Sequence, residues 1–364
     1  MSVRWTRSTV GPLRPILAAT VMSVIALPVS SAAGGAQSLS TCSPCDLRLE
    51  VAVTIGSPDG PGSESVMSRS SVAIDGRGRI IVTALGADRF SVFTPAGEFI
   101  RYVGRSGQGP GEYQFIWGLA ASRDWVHVFD PMNGRRTLLD LDFSVDRVDQ
   151  VSGPVRRPTA LDSGSVAFFS DIASRDQVGM LVHVLRPDGS MRSFGRGDGG
   201  YHKRLPQHAF GTDGVRAWTV PEQGDLSLSE WDLATGDLLR TIPMDLEWYS
   251  DWDDDYWPRS LVVDVRPEGG RALLFGAIPD RQIEDNRVRV GDPSAPTGDL
   301  PDLMTGVLDL IDLGTGASLG SLVVEGWIVG FVSNSDLVAV YRETASGVPF
   351  IDLARVIGVQ STGG

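Results

Sequence analysis

The chain has 364 residues, 42% hydrophobic and 21% charged, which are the proportions of a globular protein with a sizeable core and exclude the disordered and fibrous classes. Acidic residues outnumber basic ones 45 to 32, and a formal charge of -13 argues against nucleic acid or an anionic membrane as the main partner. A neutral or cationic ligand fits that balance better, and with Lys203 the only lysine, nearly all the positive charge is arginine.

The first 36 residues read as a secretory signal peptide. Arg4, Arg7 and Arg14 form a basic region, residues 16–27 an apolar stretch, and small residues follow at 30–36. The apolar stretch is too short for the roughly 20 residues of a spanning helix, so cleavage near Ala32 or Ala36 is expected ahead of a retained anchor. No later run is long and apolar enough to cross a bilayer, so an exported protein, periplasmic or extracellular, is expected. The only cysteines, Cys42 and Cys45, follow in a short segment at 37–46. In an oxidising compartment a Cys-x-x-Cys before a strand, with no helical pattern behind it, reads as a local disulfide before a redox pair. Two thiolates alone do not complete a tetrahedral zinc site, and Thr41 is a poor residue to precede a lipid-modified cysteine.

From Leu47 onward, short β-branched and aromatic runs recur between Gly, Pro and Asp turns. The clearest unit has strands near 72–74, 80–83, 90–94 and 99–103, with tight turns at 75–78 and 95–97. A second has strands near 116–120, 125–129, 137–142 and 145–151. A third spans 158–194, a fourth 208–242, and a stretched fifth 260–324. A sixth supplies only three strands, near 328–332, 337–342 and 349–357. The run 47–55 has no sheet of its own and can complete it, closing a ring and removing the open edges on which β proteins aggregate. Four strands per repeat of this length predict an all-β, six-bladed propeller of four-stranded antiparallel blades over 47–357, followed by a short C-terminal tail. Two stacked sheets are the competing architecture. The first strand of each blade would line a central channel.

Three stretches carry a resemblance: Cys42-x-x-Cys45 before the first strand, the glycine-rich linker Val103-Gly104-Arg105-Ser106-Gly107-Gln108-Gly109-Pro110-Gly111-Glu112-Tyr113, and the terminal Asp336-Leu337-Val338-Ala339-Val340. With them the chain resembles the exported bacterial six-bladed propeller proteins related to NHL repeats. The resemblance covers nearly all of the chain after the leader and implies the fold, while assigning no activity. Some propeller lyases related to that group carry a histidine-ligated zinc, but their motif has no match here. Calcium-dependent lactonases with six blades place acidic and amide ligands around the channel, and the repeats contain no corresponding set.

Strand alternation puts the tight glycine turns on one face of the ring and the long connections on the other, the face expected to carry function. The most unusual connection is 247–257, where Trp248, Asp251, Trp252, Asp253, Asp255 and Tyr256 concentrate aromatics and carboxylates. The alternating Asp251, Asp253 and Asp255 have the spacing of hard-cation ligands, calcium being the cofactor they would take, although Tyr256 and Val262 stand where an EF-hand needs Gly and Glu. Aromatic faces beside carboxylates also suit a cationic or sugar-like ligand. The third reading is that the aromatics plug the space between blades while the aspartates stay solvated. The connection 278–304 should emerge beside this loop on the same face. Gly107-Gln108-Gly109-Pro110-Gly111 lacks the Lys and Ser/Thr of a phosphate loop and reads as a blade linker, leaving Arg105 as its candidate contact. His202 and His208 flank one linker and are weak metal candidates. Neither a nucleophile elbow nor a His-Glu-x-x-His is present. The expectation is a binding or protein-interaction module that presents the loops 105–113, 196–207, 245–259 and 278–304 to a protein or small-molecule ligand. A metal-assisted hydrolase or lyase is the alternative.

Overall fold

The computed structural model describes residues 39, 42, 44–56, 60–151, 153, 155–161, 164–170, 180–196, 209–220, 226–249, 256–257, 260–280, 288–289 and 300–360. The leader at 1–36, Asp251, Trp252, Asp253 and Asp255, and His202 and His208 lie outside them. No helix among the described residues is long and apolar enough to cross a membrane.

Alternating apolar residues between glycine turns fold into six four-stranded antiparallel sheets. Blade 1 contains β2 (Ser70–Ile74), β3 (Ile80–Ala84), β4 (Phe90–Phe93) and β5 (Phe99–Val103). Blade 2 contains β6 (Gly118–Ala121), β7 (Val126–Asp130), β8 (Arg135–Leu139) and β9 (Val145–Gln150). Blade 3 contains β10 (Arg156–Ala160), β11 (Val166–Phe169), β12 (Met180–Leu185) and β13 (Met191–Arg196), and blade 4 contains β14 (Ala209–Thr212), β15 (Arg216–Val220), β16 (Ser227–Asp232) and β17 (Leu238–Pro243). Blade 5 contains β19 (Leu261–Pro267), β20 (Arg271–Pro279), β22 (Met304–Asp312) and β23 (Ser318–Val323). Blade 6 contains β24 (Trp327–Phe331), β25 (Leu337–Glu343) and β26 (Pro349–Gln360), with β1 (Cys45–Ile55) as its outer strand. A two-stranded ribbon, β18 (Tyr256–Trp257) with β21 (Val288–Arg289), stands apart from the blades.

The N-terminal strand closes the ring. β1 lies antiparallel to β26, with Leu47 opposite Gly358, Val51 opposite Ala354 and Ile55 opposite Ile351. Ile55 is fully buried between blades 6 and 1, whereas Val51 is 46% exposed. The segment before β1 is anchored as well. Cys42 and Cys45 are joined by a disulfide, both are buried with Leu39 in the core shared by blades 5 and 6, and Arg271 Nη1 of β20 donates to the Leu39 and Cys42 carbonyls.

Several strand boundaries depart from the sequence reading: β2 begins at Ser70 and β6 at Gly118. The third strand of blade 2 begins at Arg135, two residues before the expected start, and ends at Leu139; Asp140 and Phe143 form the following turn. Arg136, just before the expected start, is fully buried and pairs with Asp149 directly across on β9.

That pair belongs to a pattern repeated around the ring. Besides Thr137 of β8, each third strand buries one polar residue: Ser91, Arg136, His183, Glu230, Asp309 and Asp352. Their opposite numbers on the fourth strands are Tyr102, Asp149, Ser193, Arg240, Ser321 and Thr54. In four blades the pair bonds directly: Arg136 to Asp149, His183 Nδ1 with Ser193 Oγ at 2.7 Å, Arg240 Nε to Glu230 at 2.5 Å, and Thr54 Oγ1 to Asp352 at 2.5 Å. Ser91 bonds Ser65 instead at 2.7 Å, and Asp309 accepts from Ser318 at 2.7 Å. A buried polar group left unpaired is costly, so in the four blades with a direct pair these partners fix the register of the outer strand.

Candidate functional site in the central channel

The six inner strands β2, β6, β10, β14, β19 and β24 enclose a cavity of about 520 Å³. At the ends of β2, β6 and β24 the wall is laced together. Ile74 N donates to the Ser333 carbonyl at 3.0 Å, Ala121 N donates to Ser333 Oγ at 3.2 Å, and Asn334 Nδ2 donates to the Ile74 carbonyl at 3.0 Å. At the other end, where the inner strands begin, Arg69, Trp117 and Arg156 line the cavity, and the Arg156 guanidinium lies 5.9 Å from the centre of the Trp117 ring.

Three inner strands depart from regular pairing. β10 slips register between Arg156 and Thr159, β19 between Val262 and Asp264, and β24 between Ile328 and Gly330. β2, β6 and β14 pair without a slip. Bulges re-aim side chains and concentrate beside binding sites, and these three meet at one contact, Arg157 Nη1 to Asp264 Oδ2 at 3.3 Å. Arg157, just before Pro158, takes φ 49, the left-handed region that only a few per cent of non-glycine residues occupy. Gly330 leaves the space: a Cβ there would lie 2.6 Å from Arg157 Nη1 and 3.4 Å from Asp264 Oδ2.

Asp264 is 5% exposed. Its carboxylate accepts from Val265 N at 3.0 Å and Phe331 N at 3.3 Å. Burial raises its pKa above the usual carboxylate range, outweighing the lowering by Arg157 and the two amides. Arg157 Nη1 also donates to the Val329 carbonyl at 3.3 Å. Its Nε and Nη2 have no hydrogen-bond partner among the described residues, and the side chain is 27% exposed in the cavity wall. Arg266 is engaged elsewhere, with Nε on Glu268 at 2.8 Å, Nη1 on the Asp336 carbonyl at 2.7 Å, and its guanidinium 4.9 Å from the Phe331 ring centre. The channel wall therefore carries arginine against the acidic balance of the whole chain.

Of the residues singled out in the sequence, Trp248 is half-buried. Its indole sits over Gly276, where a Cβ would collide with the ring, and its Nε1 donates to Asp309 Oδ2 at 2.7 Å. Burial raises the Asp309 pKa despite the bonds from Ser318 and Trp248. Arg105 is exposed and paired with Glu112 at 2.7 Å. The Glu112 carboxylate also accepts from Gly109 N at 2.8 Å, and Arg135 donates to the Gln108 and Gly109 carbonyls at 2.7 and 2.8 Å, so the glycine-rich linker is a folded, arginine-tied loop. The connections 245–259 and 278–304 meet in the β18–β21 ribbon, where Tyr256 is the register partner of Arg289. Among the described residues, no three His, Cys, Asp or Glu side chains gather into a metal-binding group. Sequence reasoning missed Arg157 and Asp264. A doubled arginine before Pro158, and a lone carboxylate inside the apolar run 261–265, were the available signals.

Comparison with known proteins points to the fold. No family model matches the chain, and no curated protein matches its sequence. Among solved structures, a member of the DUF4221 family from Bacteroides vulgatus is similar with a TM-score of 0.56 at 8% identity, over 85% of this chain and 98% of that one. A presumed exported protein from Bacteroides fragilis matches with a TM-score of 0.54 at 10% identity, over 85% and 95%. A streptogramin B lyase matches at a TM-score of 0.47 and 12% identity, over 84% and 98%. The fold is what this chain shares with the two Bacteroides structures.

Proposed function

We propose that the protein is an extracytoplasmic binding module that seats a small ligand in the central channel. The observation that carries this reading is the convergence of three bulged inner strands on the Arg157–Asp264 contact inside a cavity of about 520 Å³. Pockets of about 300–1,000 Å³ with a few placed polar groups are those that take small molecules. A backbone held at positive φ by a non-glycine residue is characteristic of ligand clamps. Kinship in fold with a presumed exported protein and the leader-like first 36 residues support export. The loops at 105–113, 196–207, 245–259 and 278–304 supply the rim in this proposal, with Asp251, Trp252, Asp253, Asp255 and Tyr256 as rim contacts.

The test compares the purified protein with a channel-filled variant, Ser71→Trp in β2, and a rim variant, Trp252→Ala with Asp253→Ala. Native mass spectrometry after incubation with a small-molecule extract of culture medium should show bound species that disappear when the channel is filled. Bound species that survive Ser71→Trp but vanish in the rim variant would move the site to the outer loops. The metal-assisted alternative predicts stoichiometric calcium or zinc in elemental analysis and a melting temperature that falls on adding chelator.

A further inference from the structure

The guanidinium in the channel wall is only half used. Arginine presents five N–H donors in a planar fork; in Arg157 the contacts with described residues all involve Nη1, on Asp264 and the Val329 carbonyl. Arg157 lines the cavity, its Nε and Nη2 have no partner among the described residues, and this pair of parallel donors is the geometry that grips a carboxylate in bidentate fashion. The other edge is held, so the fork is pre-oriented and loses little freedom on binding. Resting on the channel reading above, we infer that the ligand is a small organic carboxylate whose carboxylate docks on the Nε and Nη2 edge of Arg157.

The charge of the ligand follows from Asp264. Asp264 already shares this guanidinium, so a singly charged ligand meets less repulsion beside it than a phosphate dianion would. The body of the ligand has an apolar wall to lie against. Trp117 lines the same cavity, half-buried, and it is bonded in sequence to Gly118, which packs on the Pro158 ring at 3.4 Å for a built Cβ. Trp117 is thus beside the strand that carries Arg157.

The experiment is titration calorimetry and thermal melting of the purified protein at low ionic strength with paired probes: benzoate against benzamide, glucuronate against glucose, and inorganic phosphate. The expected result is that each carboxylate binds at least about 10-fold more tightly than its neutral counterpart, the size of a charge-assisted pair, and that added salt erodes the preference. Arg157→Gln should abolish the preference. Because that change strands a buried carboxylate, the double variant Arg157→Gln with Asp264→Asn serves as the folded counterpart, and Arg77→Gln, on an exposed turn outside the cavity lining, as the surface control that keeps the preference. Equal binding of acids and neutral probes, or a preference that survives both Arg157 variants, overturns the carboxylate assignment while leaving the channel reading in place. Tighter binding of phosphate than of either carboxylate overturns it too. No binding by any probe up to tens of millimolar overturns this inference, while Ser71→Trp in the extract experiment judges the channel independently.

Discussion

Ring closure makes a comparison within one strand decisive. Ile55 and Val51 both lie on β1, four residues apart, yet Ile55 is fully buried between blades 6 and 1 and Val51 is 46% exposed. Ile55→Ala removes three buried carbons, about 2.4 kcal/mol at roughly 0.8 kcal/mol each. The residual cavity brings the loss to about 3–4 kcal/mol. Val51→Ala removes two carbons from a half-wet site and should cost about 1 kcal/mol at most. Urea denaturation with an unchanged slope would report both losses. Equal losses, or a larger loss at Val51, would refute the register of Val51 with Ala354 and Ile55 with Ile351.

Other perturbations have definite signs. His127 is buried beside Arg136 in blade 2, and burial first, then the arginine, depresses its pKa to about 3. Its folded value lies below the unfolded one, so the folded state resists protonation. Stability should therefore fall as pH drops from about 6.5 toward 3, by about 1.4 kcal/mol per unit from this group. His127→Gln should flatten that limb in denaturation curves at pH 7 and pH 5; an unchanged slope would contradict the assignment. Arg136→Ala leaves the Asp149 carboxylate with one less cation and should cost about 3–5 kcal/mol in chemical unfolding. Asp309 carries a pKa raised by burial, so it opposes folding at neutral pH, and Asp309→Asn should raise the melting temperature at pH 7 more than at pH 4. Reducing the Cys42–Cys45 disulfide removes a short cross-link worth about 2 kcal/mol, seen as a lower melting temperature in reductant.

The blades were legible because their turns are chemical punctuation. Gly78, Gly97, Gly189, Gly236 and Gly316 all occupy positive φ at the turns that separate strands. The unpaired run at 47–55 and the three-stranded last repeat implied the closure between β1 and β26. The channel contact was not legible, because it depends on three register slips in strands far apart in sequence. Nothing near Asp264 in the chain announces Arg157 or Gly330. The buried third-strand residues escaped notice for another reason: Ser91, Arg136, His183, Glu230, Asp309 and Asp352 share a position and differ in identity, so no letter repeats. Trp248 shows how one composition admits two roles, since an aromatic in an acidic loop suits a ligand but here its ring covers Gly276 and bonds Asp309.

The most direct measurement is a crystal structure of the protein grown with benzoate. A carboxylate is expected in the central channel with its oxygens about 3 Å from Arg157 Nε and Nη2. Benzoate bound only among the outer loops, or a channel with Arg157 turned away from Asp264 and no ligand beside it, would contradict that prediction.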